Sequence, residues 1–167
     1  MARVIINDAS CLIDLRKGRL LHVLCRLPVE VIVPLPIRES ELLDFTPQEW
    51  AMLDGDGLIT YDLPPDEVGE AFAIKRAHGR LSANDCFCIV TANHFDEAIL
   101  LTGDRLLTRV ARDRELQVHG ILWVTEQLRL LELCDHDFLH TALTLWRNDK
   151  SVFVPNRFID AQLNNLK

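Results

Sequence analysis

Four short stretches of the chain carry an acidic residue beside small or polar neighbours. They are Ile6-Asn7-Asp8-Ala9-Ser10, Ile37-Arg38-Glu39-Ser40-Glu41-Leu42, Leu81-Ser82-Ala83-Asn84-Asp85 and Leu101-Thr102-Gly103-Asp104. Carboxylates gathered at one place repel strongly unless a cation neutralises them. Mg²⁺ or Mn²⁺ suits such a set, because these hard ions take oxygen ligands and bind through a few carboxylates plus water and phosphate. Taken one at a time, each acid has a plainer reading. Asp8 or Asp104 could be a helix N-cap, and Ser82 to Asp85 a capping box in which Asp85 bonds back to the Ser82 amide.

Other reactive residues offer less. Cys11, Cys25, Cys86, Cys88 and Cys134 contain no CxxC pair, and the six histidines form no HExxH. Cys86 and Cys88, two apart on a helix, would face different ways and could not clamp one zinc. Buried, reduced thiols are expected instead. No nucleophilic Ser or Cys with an activating partner is evident, so covalent catalysis ranks low.

The acids matter only if the fold brings them together, and the apolar pattern says how. Val4-Ile5-Ile6, Val29 to Val33, Leu58 to Tyr61, Ala98 to Thr102 and Ile121 to Val124 read as short strands. Helical spacing falls between them: from a cap at Ser10 up to Pro28, from Pro36, over 47–57, from Pro64-Pro65 to Ala77, from Ala83 to His94, and from Arg105 to Glu115. Residues 127–146 continue helically, 151–155 are extended and 156–166 form a last helix. Strands separated by helices argue for a parallel sheet covered on both faces. Asp8 directly follows the first strand and Asp104 the fourth. Asp85 and either Glu39 or Glu41 sit in the first turns of helices. Ligand sites of open α/β sheets lie beyond the carboxyl ends of strands, so one crevice can collect all four.

With 167 residues, 49% of them apolar, the chain has the balance of one ordinary globular domain and can bury a sizeable core without disulfide or metal staples. No apolar run is long enough to cross a bilayer, and Met1-Ala2-Arg3 leads into Val4 without a signal-peptide core, so a soluble, cytoplasmic protein with no membrane partner is expected. The net charge of −7 is local: Glu39 to Glu70 holds ten acids and no Lys or Arg, leaving fifteen acids against all eighteen basic residues elsewhere.

At the acid-bearing stretches the sequence resembles the PIN domains, especially the VapC-like toxin ribonucleases. Asp8-Ala9-Ser10 matches the opening D-x-S motif, Ile37 to Leu42 the second acid, Leu81 to Asp85 the third and Leu101 to Asp104 the fourth. The resemblance implies a three-layer α/β/α sandwich with a central parallel sheet over residues 1–125, and a C-terminal helical extension, 126–167, packed on the same domain. It implies an RNA substrate, Mg²⁺ or Mn²⁺ held by Asp8, Asp85 and Asp104, and catalytic service from those three with Glu41. Glu39 is the alternative second acid; Glu41 has the apolar residue four before it and the Leu after it that the family favours. Ser10 and Thr102 would be supporting polar residues. Such toxins typically dimerise and are restrained by a small antitoxin.

A phosphodiester resists attack because its charge repels nucleophiles and its alkoxide leaves poorly, and a divalent ion addresses both obstacles. RNA also needs cations. Arg105, Arg109 and Arg112 recur at helical spacing after Asp104, and Lys75, Arg76 and Arg80 precede Asp85, so phosphate contacts are expected on both sides of the acids. The apolar side chains between Leu128 and Phe158 exceed what one short helix needs, and part of them is expected to meet another chain. Two further readings compete: a receiver-like signalling domain, although no Lys stands at a strand end, and a non-catalytic PIN-like protein that binds a structural ion or a partner. A nucleotide-binding module would need a Gly-rich phosphate loop, and neither GxGxxG nor GxxxxGK[ST] occurs.

Overall fold

The computed structural model describes residues 3–167; Met1 and Ala2, on which part of the signal-peptide expectation rests, lie outside the described residues. Five strands, β1 (Arg3–Asn7), β2 (Val29–Pro34), β3 (Ile59–Tyr61), β4 (Ala98–Leu101) and β5 (Gln117–His119), pair in the order β3-β2-β1-β4-β5. Every pairing is parallel. Val4, Ile5 and Ile6 and the whole of Ala98–Leu101 are buried, as strands covered on both faces must be. The edge strands β3 and β5 are three residues each, which limits the unpaired backbone they offer to other chains.

Among the described residues ten helices join and cover the sheet: α1 (Ala9–Lys17), α2 (Leu21–Leu24), α3 (Leu35–Ser40), α4 (Pro47–Gly55), α5 (Pro65–Ala77), α6 (Ala83–His94), α7 (Arg105–Asp113), α8 (Ile121–Leu130), α9 (His136–Asn148) and α10 (Asn156–Asn165). The crossover through α1 moves towards the β3 edge, whereas that through α5 and α6 returns across the sheet. Right-handed crossovers therefore place α1 and the α5–α6 pair on opposite faces, giving three layers. Strand order reverses between β1 and β4, and the crevice at that reversal is where such sheets bind ligands. The order differs from the β2-β1-β3-β4-β5 sheet of receiver-like domains, which removes that reading.

Several local expectations are corrected. Ile121 to Val124 is not the last strand but the first turn of α8, which buries Ile121, Val124, Thr125 and Leu128 at helical spacing. The true last strand, Gln117–His119, is polar at both ends and so lacks the apolar run that marks a buried strand. The helix expected over 127–146 is two helices, broken where Glu132 adopts φ 53°. Asp8, not Ser10, caps α1, and the helix expected to reach Pro28 breaks after Lys17, with Arg19 at φ 59°. Glu41 does not open a helix; it is the C-cap of α3.

The C-terminal helices pack on the same body. Trp146 of α9 is buried, and its indole Nε1 donates to the Asp14 carbonyl of α1 at 2.7 Å. In α10, Gln162 accepts from Thr125 at 2.6 Å and donates to the Leu122 carbonyl at 2.8 Å, tying that helix to α8. Leu128, Leu139, Leu143 and Ile159 join the common core, so much of the apolar surplus completes this chain; Leu130, Leu131, Phe138 and Phe158 stay exposed.

Gly18 makes the α1–α9 contact possible. A Cβ there would lie 2.8 Å from the Trp146 ring, and Gly18 has an ordinary φ of −82°, so the requirement is for space rather than for unusual backbone. Gly18→Ala is expected to destabilise the protein by about 1–3 kcal/mol, the usual cost of overpacking. Urea denaturation checks this, and a midpoint equal to the parent's would show that α9 yields at no cost.

Candidate active site

Asp8 ends the central strand and starts a helix. Its amide donates to the Leu101 carbonyl at 3.0 Å, extending the β1–β4 ladder by one bond, after which the chain turns into α1. The side chain then caps that helix: Oδ1 accepts from the Ala9 amide at 2.9 Å. Oδ2 accepts from the Ser10 hydroxyl at 3.0 Å and the Thr102 hydroxyl at 2.8 Å. Those hydroxyls continue to the Asp104 loop, since the Asp104 amide donates to Thr102 Oγ1 at 3.1 Å and the Gly103 amide to Ser10 Oγ at 3.3 Å. Ser10 and Thr102 thus brace the β1 and β4 ends against each other.

Asp104 is the N-cap of α7, its Oδ1 accepting from the Leu107 amide at 2.8 Å. Asp85 completes the capping box of α6, its Oδ2 accepting from the Ser82 amide at 2.9 Å. The plainer reading of these three aspartates as helix caps is therefore realised, and it coexists with their gathering. Capping fixes each carboxylate through one oxygen and sets it where the helix dipole favours negative charge. Glu41 comes from α3, and Asn84 of α6 holds it: Nδ2 donates to Glu41 Oε1 at 2.7 Å and to Ser40 Oγ at 2.9 Å.

Their fields show that the acids share a neighbourhood. Burial pushes the Asp8 carboxyl up to about 6 against the lowering effect of the Thr102 and Ser10 hydroxyls, and the negative charges of Asp85 and Glu41 push it further. Burial also raises Asp85, its Ser82 hydrogen bonds oppose this, and the Asp104 charge adds to the rise. Beneath them, the fully buried Cys88 thiol is held protonated by desolvation and by Asp8, Asp85 and Glu41 together. Glu39 is exposed and is not among the charges that act on Asp8.

Among the described residues no group of three or more His, Cys, Asp or Glu side chains is placed so that it could hold a metal ion. The donor set nevertheless fits Mg²⁺ or Mn²⁺: carboxylate oxygens without imidazole or thiolate, in an arrangement that Mg²⁺, which keeps several waters and uses one or two carboxylates, does not require to be closed. Asn7, immediately before Asp8, is buried with its side-chain oxygen unpaired, while its Nδ2 donates to the Ile32 carbonyl at 2.9 Å.

Cations flank the acids unevenly. Lys75 lies close enough to Asp85 to lower its carboxyl and donates to the Gly79 carbonyl at 2.7 Å; Arg76 and Arg80 are exposed and join no ion pair among the described residues. On the other side Arg105, Arg109 and Arg112 line a groove of about 430 Å³ with Gly103, while Leu107, Val110 and Ala111 turn to the core. None of these three arginines joins an ion pair among the described residues. The positioning role of Asn84 was not legible in the sequence, because an Asn in a first helical turn looks like ordinary surface.

A family model described as a PIN domain (DUF3368) matches residues 4–167, across the boundary drawn after residue 125. No curated protein matches the chain. PIN domains are generally nucleases and typically use divalent metals, and no helix among the described residues is long and apolar enough to cross a membrane. Parallel sheet, strand-end aspartates and family match agree, and the chain belongs to the PIN-domain family.

Proposed function

We propose that this protein is a divalent-metal-dependent endoribonuclease that cleaves RNA phosphodiester bonds, the toxin of a toxin–antitoxin pair. The observation that carries the proposal is the chain of acids at the sheet's reversal point, in which the charges of Asp85 and Glu41 act on Asp8 and that of Asp104 acts on Asp85, while Thr102 hydrogen-bonds both the Asp8 carboxylate and the Asp104 amide. Asp8, Asp85 and Asp104, each oriented by a helix cap, would hold the ion, one or two of them directly and the rest through its waters. When bound, Mg²⁺ or Mn²⁺ supplies charge neutralisation at the phosphate and a lowered pKa for water. Glu41, oriented by Asn84, stands ready to take a proton from the attacking water. Ser10 and Thr102 keep the Asp8 carboxylate fixed between two strands. Arg105, Arg109 and Arg112 offer charge to neighbouring phosphates, while the acidic 39–70 block limits indiscriminate nucleic-acid affinity.

A homodimer and a small antitoxin belong to the same proposal, supported by the exposed Leu130, Leu131, Phe138 and Phe158. The deciding experiment incubates the full chain with single-stranded and structured RNAs. Cleavage is expected with Mg²⁺ or Mn²⁺ and none in excess EDTA. Undiminished cleavage under chelation, or intact RNA with both metals across the panel, would overturn the proposal and favour the non-catalytic binding reading.

A further inference from the structure

A second cleft, of about 590 Å³, opens beside the acids and shares Ser10, Gly103 and Asp104 with them. Its walls are of another kind: Ile121, Leu122 and Trp123 from α8, and Phe153, Val154 and Pro155 from the segment before α10. Phe153 is 88% exposed, an unusual position for a large aromatic side chain, and it stacks on no ring among the described residues. Trp123 stacks on His119 at 4.9 Å with the rings nearly parallel, so it enters the cleft already braced. Asp14, one helical turn after Ser10, also lines the cleft; its carboxylate has no hydrogen-bond partner among the described residues, and burial raises its pKa to about 6.

Charge favours a nucleic acid here over a basic peptide. Gly103 and Arg105 line both this cleft and the groove of Arg109 and Arg112, so an arginine track leads into an aromatic cleft past Asp104. A strand whose phosphates follow the track would bring a base to the aromatic walls, whereas a basic peptide would meet the arginines first. We propose that the cleft is a nucleobase subsite and that Asp14 selects guanine.

Hydrogen-bond chemistry makes the choice. A carboxylate only accepts, through two parallel oxygens. Guanine alone presents two adjacent donors, N1–H and N2–H₂, on its Watson–Crick edge. Adenine and cytosine place a ring-nitrogen acceptor beside their single amino group, and uracil sets its N3–H between two carbonyls, so each would hold a lone pair against the Asp14 carboxylate. Phe153 supplies stacking that every base can use, since single-stranded recognition relies on aromatic faces.

This inference rests on the RNA reading, and its test separates the two. The full-length Asp8→Asn protein is titrated with fluorescein-labelled oligoadenylates carrying a central G, C, U or A, by anisotropy at pH 7.5, and cleavage sites of the unsubstituted protein are mapped on a mixed-sequence RNA. The central-G oligonucleotide is expected to bind roughly tenfold more tightly than the others. Asp14→Asn in that background should reduce the preference to about twofold or less, and Asp14→Glu should restore part of it. Phe153→Ala, whose exposed position spares the fold, should weaken all four by about tenfold without reordering them. Cleavage without any base preference overturns the subsite and leaves the nuclease reading standing. Guanine-selective binding without cleavage supports the subsite and removes the nuclease. A preference untouched by both cleft substitutions, with Phe153→Ala instead dissociating a dimer, shows the cleft to be a protein contact and overturns the proposal.

Discussion

The Asp8→Asn protein is expected to fold, to lose roughly a thousandfold or more of its RNA cleavage, and, without metal, to be more stable than the parent at neutral pH. Loss of activity follows from removing the carboxylate that joins the β1 and β4 ends. The stability gain follows from burial. An ordinary carboxyl value of 3.8 raised to about 6 means that the folded protein binds this proton more tightly than the unfolded chain does. Ionised Asp8 therefore costs stability above pH 6, by roughly 2–3 kcal/mol at pH 7.5, and the cost fades as pH falls through 6 towards 4. Asparagine keeps an oxygen for the Ala9 amide and carries no charge, so it escapes that cost. Urea denaturation in EDTA at pH 7.5 and at pH 4 should show a gap between variant and parent that nearly closes at the lower pH. A bound divalent ion reverses the ranking, because it stabilises the form that holds it. A gap independent of pH, or cleavage preserved in the variant, would contradict the role given to Asp8.

Glu41→Gln should reduce cleavage by about a hundredfold, and Glu39→Gln should change it by less than about twofold. The two glutamates lie two residues apart, yet only Glu41 is held by Asn84 and only Glu41 acts on Asp8. Glutamine preserves the size of the side chain and an oxygen for Asn84 Nδ2, so a deficit in Glu41→Gln reports the lost charge rather than a lost contact. Steady-state kinetics should place that deficit in kcat more than in KM. Equal deficits in the two variants would mean that a general loss of negative potential, not a positioned carboxylate, is at work.

What made the site legible was short-range order. Asp8 and Asp104 end apolar runs, and an acid at the end of a buried strand has few places to be except the crevice. Asp85 could be placed because Ser82 three residues earlier marks a helix start. Elsewhere local pattern misled: Ile121 to Val124 is apolar enough for a strand or a buried helical turn, and only its packing, with Val124 and Leu128 on one face, decides. The bracing of α1 by Trp146 joins residues 132 positions apart, a contact that no spacing rule anticipates. Asp14 carries no signal in the sequence, since nothing nearby in the chain announces that Trp123 and Phe153 will line the same cleft.

Because each aspartate caps a helix, the site writes its state onto backbone amides. The Ala9, Ser82 and Leu107 protons point at Asp8, Asp85 and Asp104 in turn. If a cation is held there as proposed, it would draw electron density from the carboxylates it meets and weaken their hydrogen bonds, so the nitrogen-15 correlation peaks of these three amides would form a built-in set of reporters. Ion entry would then be followed resonance by resonance in the unmodified protein, without substrate and without turnover.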